Sequence, residues 1–207
     1  TERSTFAKTL EQYSLLDHVK KEVAYIENHF LPGTYLSCYG DGDWDDTLQP
    51  NDARLKKQMA SSWTVALTCQ VITKLASVLE AADSSYAAHL KTLAAHIKED
   101  YERYILSDEI LPGFVLQEGD HFEFIIHPTD KKTGINYRLL PMTRSMIAEL
   151  LTPQQAEQHL AVIKEQLQFP DGVRLMNRPA RYKGGVSTYF KRAEQAANFG
   201  REIGLQY

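Results

Sequence analysis

The residues best suited to chemistry lie between Gly33 and Asp52, where Tyr35, Tyr39 and Trp44 stand among Asp41, Asp43, Asp45 and Asp46 with Gly33, Gly40 and Gly42. Carboxylates interleaved with aromatic rings suit cleavage of a glycosidic bond. That reaction needs a carboxylic acid aimed at the bridging oxygen and an aromatic surface against the apolar face of a pyranose. Adjacent carboxylates oppose one another's ionisation, so one of them can hold a proton near neutral pH and donate it. A competing reading is a calcium loop, since Asp41, Asp43, Asp45 and Asp52 fall at its first, third, fifth and twelfth positions. Asp46, however, stands where that loop needs glycine, Asp52 where it needs the longer glutamate, and Pro50 intrudes. We therefore expect no metal. An ordinary solvated acidic turn would leave Trp44 and Tyr39 unexplained.

Regular structure must hold such a loop on both sides, and the flanking sequence supplies helices. Phe6, Leu10, Tyr13, Leu16, Val19, Val23, Ile26 and Phe30 recur at helical spacing, which predicts one amphipathic helix closed by Leu31-Pro32-Gly33. Asn51-Asp52 can cap a second helix reaching about Ala82 through Leu55, Met59, Trp63, Leu67, Val71, Leu75 and Val78. Asp83-Ser84-Ser85 opens a third, to about Leu106. Pro112 to Leu116 and Phe122 to Ile126, joined by Glu118-Gly119-Asp120, read as a short β-hairpin. Leu140 to Leu151 is a fourth helix, and Thr152-Pro153 opens a fifth that runs to about Leu167. Phe169 to Gly185 reads as irregular, and Tyr189 to Leu205 as helical again. The fold class expected is mainly α, with antiparallel helical hairpins whose long loops gather at one end and build a site.

Composition narrows the function. A chain of 207 residues that is 43% hydrophobic supports one domain. A net charge of -4 and a pI near 6.0 exclude a basic field for nucleic acid, which leaves a neutral or small-anion ligand. Cys38 and Cys69 lack metal-ligand spacing and suit a reduced, cytoplasmic protein. No apolar run approaches the roughly 20 residues that span a bilayer, so no membrane segment is expected. Both ends read as cut from a larger protein.

Gly42-Asp43-Trp44-Asp45-Asp46 resembles the Gly-Asp-Trp-Asn/Asp-Asp motif of glycoside hydrolase family 94, the cellobiose, chitobiose and β-1,2-glucan phosphorylases. Further blocks follow in the same order. Ser61-Ser62-Trp63-Thr64, His127 to Ile135, Leu140-Pro141-Met142-Thr143, Phe169 to Pro179 and Arg192 to Gly204 resemble the 1,2-β-oligoglucan phosphorylase branch, whose members are often labelled cyclic β-1,2-glucan synthetase. The resemblance implies an (α/α)6 toroid of six helical hairpins, of which this chain would be roughly the middle. It implies Asp46 as general acid and inorganic phosphate as co-substrate, with no cofactor. The reaction implied is reversible phosphorolysis of a β-glucan, β-1,2-linked in this branch, to α-glucose 1-phosphate. A helical-toroid hydrolase and a noncatalytic sugar- or calcium-binding module are the alternatives. A homodimer is an open expectation for the full-length protein.

Substrate contacts are expected from Trp44, Asp43, Asp45 and Tyr39 in the acidic loop and from Glu194 downstream. Arg174, Arg178, Arg181 and Lys183, with Tyr182 and Gly184-Gly185 among them, form a basic loop suited either to a sugar or phosphate or to plain solvation. His127 reads as a structural loop residue, and Trp63 as core more than sugar platform. The family's phosphate-binding histidines align beyond Tyr207, so the isolated chain is expected to be inactive.

Overall fold

Ser14 starts the first helix of the computed structural model, which describes residues 13–40 and 48–191. Its Oγ accepts the Asp17 amide at 3.1 Å while the Asp17 carboxylate accepts the Ser14 amide at 2.9 Å, a reciprocal cap. Helix α1 therefore runs Leu15–Glu27. The helix expected to pass unbroken through Tyr13 is interrupted there, and Tyr13 and Leu15 are 50% and 81% exposed.

The second expected helix is two helices divided by a strand. Asp52 caps α2 (Ala53–Gln58) by accepting the Leu55 amide at 2.8 Å, Met59–Ser61 then extend as β2, and α3 (Ser62–Leu79) follows. Met59, Ala60 and Ser61 are all buried, so this segment is covered on both faces, as a strand between two packed layers is and an amphipathic helix is not. Its partners are Leu116, Val115 and Phe114 of β3 (Phe114–Glu118), which turns through Gly119 at φ 64° into β4 (His121–Ile125). The sheet order is β2-β3-β4, antiparallel throughout.

Strand β3 is a wall between two cores because its side chains alternate across the pleat. Val115 joins one cluster with Val65, Cys69 and Ile72 of α3 and Leu90, Ile97 and Tyr101 of α4 (Ser84–Tyr104). Phe114 and Leu116 join the other, with Tyr39, Leu48, Ile135, Val186 and Phe190. Helix α3, 18 residues with mean hydropathy 1.3, is long and apolar enough to cross a bilayer. It buries Val65, Ala66, Cys69, Ile72 and Ala76 in the first core instead. Burial of each large aliphatic side chain there contributes about 1.5–3 kcal/mol. Cys38 and Cys69 are both free thiols.

The next helix, α5 (Leu139–Ile147), ends before the expected Leu151. Glu149 turns left-handed at φ 56°, and the Leu150 amide bonds back to Ser145 O at 3.0 Å, which buries Leu150. Thr152 caps α6 (Pro153–Val162) as its Thr-Pro sequence implies, and Ile163–Leu167 continue it as a wider π turn. Within the stretch expected to be irregular, β5 (Gln168–Phe169) and β6 (Gly172–Val173) form a small hairpin. Tyr189 closes a short α7 (Val186–Tyr189) rather than opening a helix, and Phe190–Lys191 follow as β7. The partner of β7 is β1 (Gln49–Pro50). The architecture is mainly helical with short antiparallel strands.

Candidate functional site

The acidic segment 41–47 leaves and re-enters the described structure at two anchored points. On the near side, the Tyr39 amide donates to Met59 O at 2.6 Å and the Gly40 amide to Lys56 O at 2.9 Å, which ties the chain to the end of α2. Gly40 takes φ 60°, where a side chain would be strained. On the far side Leu48 is fully buried, and Gln49 and Pro50 pair with Lys191 and Phe190. Asn51 then clamps α7: its Nδ2 donates to Ser187 O at 2.7 Å and Thr188 O at 2.9 Å, and its amide to Tyr189 O at 2.9 Å.

A cavity of about 490 Å³ opens between these anchors, lined by Tyr25, His29, Gly40, Asn51, Lys57 and Lys191 among others. Tyr25 and His29 stack along its wall, ring centroids 3.9 Å apart and 24° from parallel. Their spacing of four residues on one helix face was legible in the sequence, but both lie off the apolar stripe. Stacked rings beside a polar rim are the surface a pyranose ring docks on.

A second cavity of about 490 Å³ lies between residues 133–135 and the basic loop, with Arg178, Pro179, Arg181, Lys183, Gly185 and Val186 on its walls. Asp130 builds the first of these loops. Its carboxylate, 6% exposed, accepts the amides of Ile126, Lys132 and Thr133 at 3.0, 2.8 and 3.1 Å and the Thr133 hydroxyl as well. Gly185 holds the two loops together, because a Cβ there would lie 1.5 Å from Lys132 O. Beside this contact Glu123 accepts Tyr189 Oη at 2.9 Å and Lys132 Nζ at 3.2 Å. Tyr189 and Glu123 raise the Lys132 ammonium well above its ordinary pKa, and burial pushes the Tyr189 phenol up to about 12.

No protein-family model matches the chain. Across its whole length, in an alignment of 208 residues, it is 54% identical to the 1,2-beta-oligoglucan phosphorylase of Listeria innocua serovar 6a. The chain is similar throughout to one part of that phosphorylase. It spans 18% of that relative's length. The resemblance carried by its motifs and the whole-chain identity point to the same kind of protein.

Asp46, Trp44, Asp43, Asp45 and Glu194 lie outside the described residues. Described residues near the two segments that hold them are nonetheless register partners: Gln49 pairs with Lys191 and Pro50 with Phe190. Tyr39, expected to face a sugar, is 5% exposed and packs in the second core, its ring centroid 6.5 Å from that of Phe114. Arg174 is set apart from the basic cavity. Its guanidinium lies 3.4 Å from the centroid of the Phe169 ring, and Asp171 is 4.0 Å away. Arg178 is exposed on the cavity wall, whereas Tyr182 is half-buried against the second core. His127 is structural as expected: Thr129 N donates to its Nδ1 at 3.2 Å, so the Nε2–H donates to Ile110 O at 3.1 Å. Trp63 is half-buried on α3 with the Arg144 guanidinium 5.5 Å from its ring centroid. It lies off the buried Val65, Cys69 and Ile72 face, which corrects its assignment to the core stripe.

Sequence reasoning missed Asn51 and Asp130 as anchors, and it missed Arg138. That guanidinium is 1% exposed, 3.3 Å from Gly113 O, 3.5 Å from Ser61 Oγ and 4.5 Å from the Phe114 ring centroid. No periodicity marks such a residue, since it contributes through contacts with two segments distant in sequence, at Ser61 and at Gly113–Phe114.

Proposed function

We propose that the chain is part of the catalytic helical barrel, a single (α/α)6 domain, of an inverting β-glucoside phosphorylase of glycoside hydrolase family 94 acting on β-1,2-linked glucans in the cytoplasm. The observation that carries this reading is the 54% identity along the whole chain to a 1,2-beta-oligoglucan phosphorylase. Two anchored feet around residues 41–47 support it, because a proton donor must be held within a fraction of an ångström of its target.

In this reading Asp46 donates its proton to the leaving glycosidic oxygen as that oxygen's bond to the anomeric carbon breaks. Phosphate attacks the same carbon from the opposite face, forms the new C–O bond and inverts a β-linkage to α-glucose 1-phosphate. No carboxylate base is needed, since phosphate is already an anionic nucleophile, which separates this chemistry from inverting hydrolysis. In reverse, Asp46 takes the proton of the acceptor hydroxyl. Trp44, Asp43, Asp45 and Glu194 contact the sugar, Tyr39 anchors the chain ahead of the acidic residues, and Arg178 and Tyr182 border the substrate path; Arg174 shapes the turn beside it. Because the chain spans 18% of its relative, the activity belongs to the full-length protein, and the 207 residues alone are inactive.

The test is phosphorolysis of β-1,2-gluco-oligosaccharides by the full-length protein, wild type against Asp46→Asn. Phosphate-dependent α-glucose 1-phosphate, reduced at least a hundredfold in the variant, is expected. Equal product from both removes Asp46 from its role, and sugar release without phosphate makes the protein a hydrolase.

A further inference from the structure

The cavity between residues 133–135 and 178–186 is ringed by Arg178, Arg181 and Lys183. Among the described residues none of these three side chains makes an ion pair, although their neighbours do: Lys132 meets Glu123 at 2.9 Å and Arg174 meets Asp171 at 4.0 Å. Three unmatched cations around one concavity repel one another, and an anion that enters removes that cost. A neutral sugar has no use for three positive charges. A carboxylate is met by one guanidinium fork, whereas a phosphate group presents three oxygens and up to two charges to several donors at once.

The shape of the site is fixed. Gly134 and Gly184 take φ 67° and 62°, and the Gly185 contact on Lys132 O locks one loop onto the other. Ile135 and Val186, 2% and 5% exposed, close the floor with apolar surface. A volume of about 490 Å³ lies within the range of small-molecule pockets and leaves room beside a phosphate group for a ring the size of a hexose.

We propose that this cavity is a binding site for a phosphate group, carried by a hexose phosphate monoester or by inorganic phosphate, and distinct from the acid loop. The site stands on the cavity's own charge and shape and does not require the phosphorylase reading to hold.

Calorimetric titration of the full-length protein with inorganic phosphate, and separately with α-glucose 1-phosphate, counts ligands bound per chain. Wild type binds one phosphate-bearing ligand more than Arg181→Gln/Lys183→Gln, and the difference persists in an Asp46→Asn background. Tighter binding of the sugar phosphate at this extra site identifies the monoester as occupant, and the reverse identifies free phosphate. Equal stoichiometry and affinity in wild type and double variant overturns the proposal. Should the double variant fail to fold, Arg181→Gln alone, with an exposed side chain, is expected to bind about tenfold more weakly at low salt with a shallower salt dependence. Unchanged affinity in that single variant overturns the proposal equally.

Discussion

Gln49 stands opposite Lys191 in an antiparallel ladder of two residue pairs, the other being Pro50 with Phe190. So short a ladder contributes little by itself. Its stability comes from Phe190, 1% exposed and 4.9 Å from the Phe114 ring, and from the bonds Asn51 makes to α7. Residues 49–51 are thereby fastened to residues 187–191.

Loss of the Asn51 clamp should act on catalysis more than on stability. Asn51→Ala removes two side-chain hydrogen bonds to Ser187 O and Thr188 O on the protein's surface. We expect an unfolding free energy lowered by about 1–2 kcal/mol but kcat/KM for phosphorolysis in the full-length protein reduced about tenfold or more. Activity that falls only in proportion to the unfolded fraction would mean that the clamp does not position the loop.

Asp130 is a single carboxylate serving four donors, and its replacements should separate charge from shape. Asp130→Ala strands the amides of Ile126, Lys132 and Thr133 in a region where the side chain is 6% exposed, at a cost of about 3 kcal/mol or more. Asp130→Asn, with one acceptor oxygen in place of two, should cost less. Urea unfolding of the two variants ranks them, and equal losses would show that loop geometry does not depend on the number of acceptors.

Gly184 and Gly185 are neighbours held for different reasons. Gly184 has φ 62° and open space around it, so Gly184→Ala costs only the left-handed backbone, about 1 kcal/mol. Gly185 has ordinary helical angles but no room, and Gly185→Ala must push Lys132 O away. A loss of more than about 2 kcal/mol is expected there, by thermal or urea unfolding. The reverse ranking would show that the two loops do not meet at this point.

Acid should destabilise the fold through two buried histidines. Burial lowers the pKa of His127 despite Asp108 and Asp130 nearby, and burial lowers that of His159. In the unfolded chain both take protons near pH 6.5. As pH falls below that value the unfolded state binds protons that the folded state refuses, so stability declines until the lowered folded pKa values are reached. His159 Nε2 also accepts the Leu111 amide at 3.2 Å, a bond that protonation abolishes. Urea midpoints at pH 7.5 and 5.5 should differ, and His159→Gln should flatten the difference; an unchanged slope would remove His159 from the account.

Where local chemistry decided an element, it was legible in the sequence. Asp83 and Thr152 each cap a helix at the expected residue, and Gly119-Asp120 turns the hairpin. Where distant contacts decided, it was not. Met59 continues a helical apolar stripe in sequence, yet pairing with Leu116 makes it a strand, and Glu149 ends α5 early because Leu150 is drawn into the core. For the site, the basic loop was legible as a charge cluster, but only the contact of Gly185 with Lys132 turned Arg178, Arg181 and Lys183 into the wall of a cavity and left Arg174 outside it.

The strand that interrupts the expected long helix has a kinetic consequence for the acidic loop. Met59 O and Lys56 O hold the amides of Tyr39 and Gly40, and Met59 is itself paired with Leu116 at the edge of the three-stranded sheet. Each of these amides exchanges with deuterium only when its own bond to Met59 O or Lys56 O breaks, so both should exchange more slowly than the amides of an unbonded surface loop. Residues 39 and 40 are thus fastened to the edge of the sheet and to the helix that leads into it.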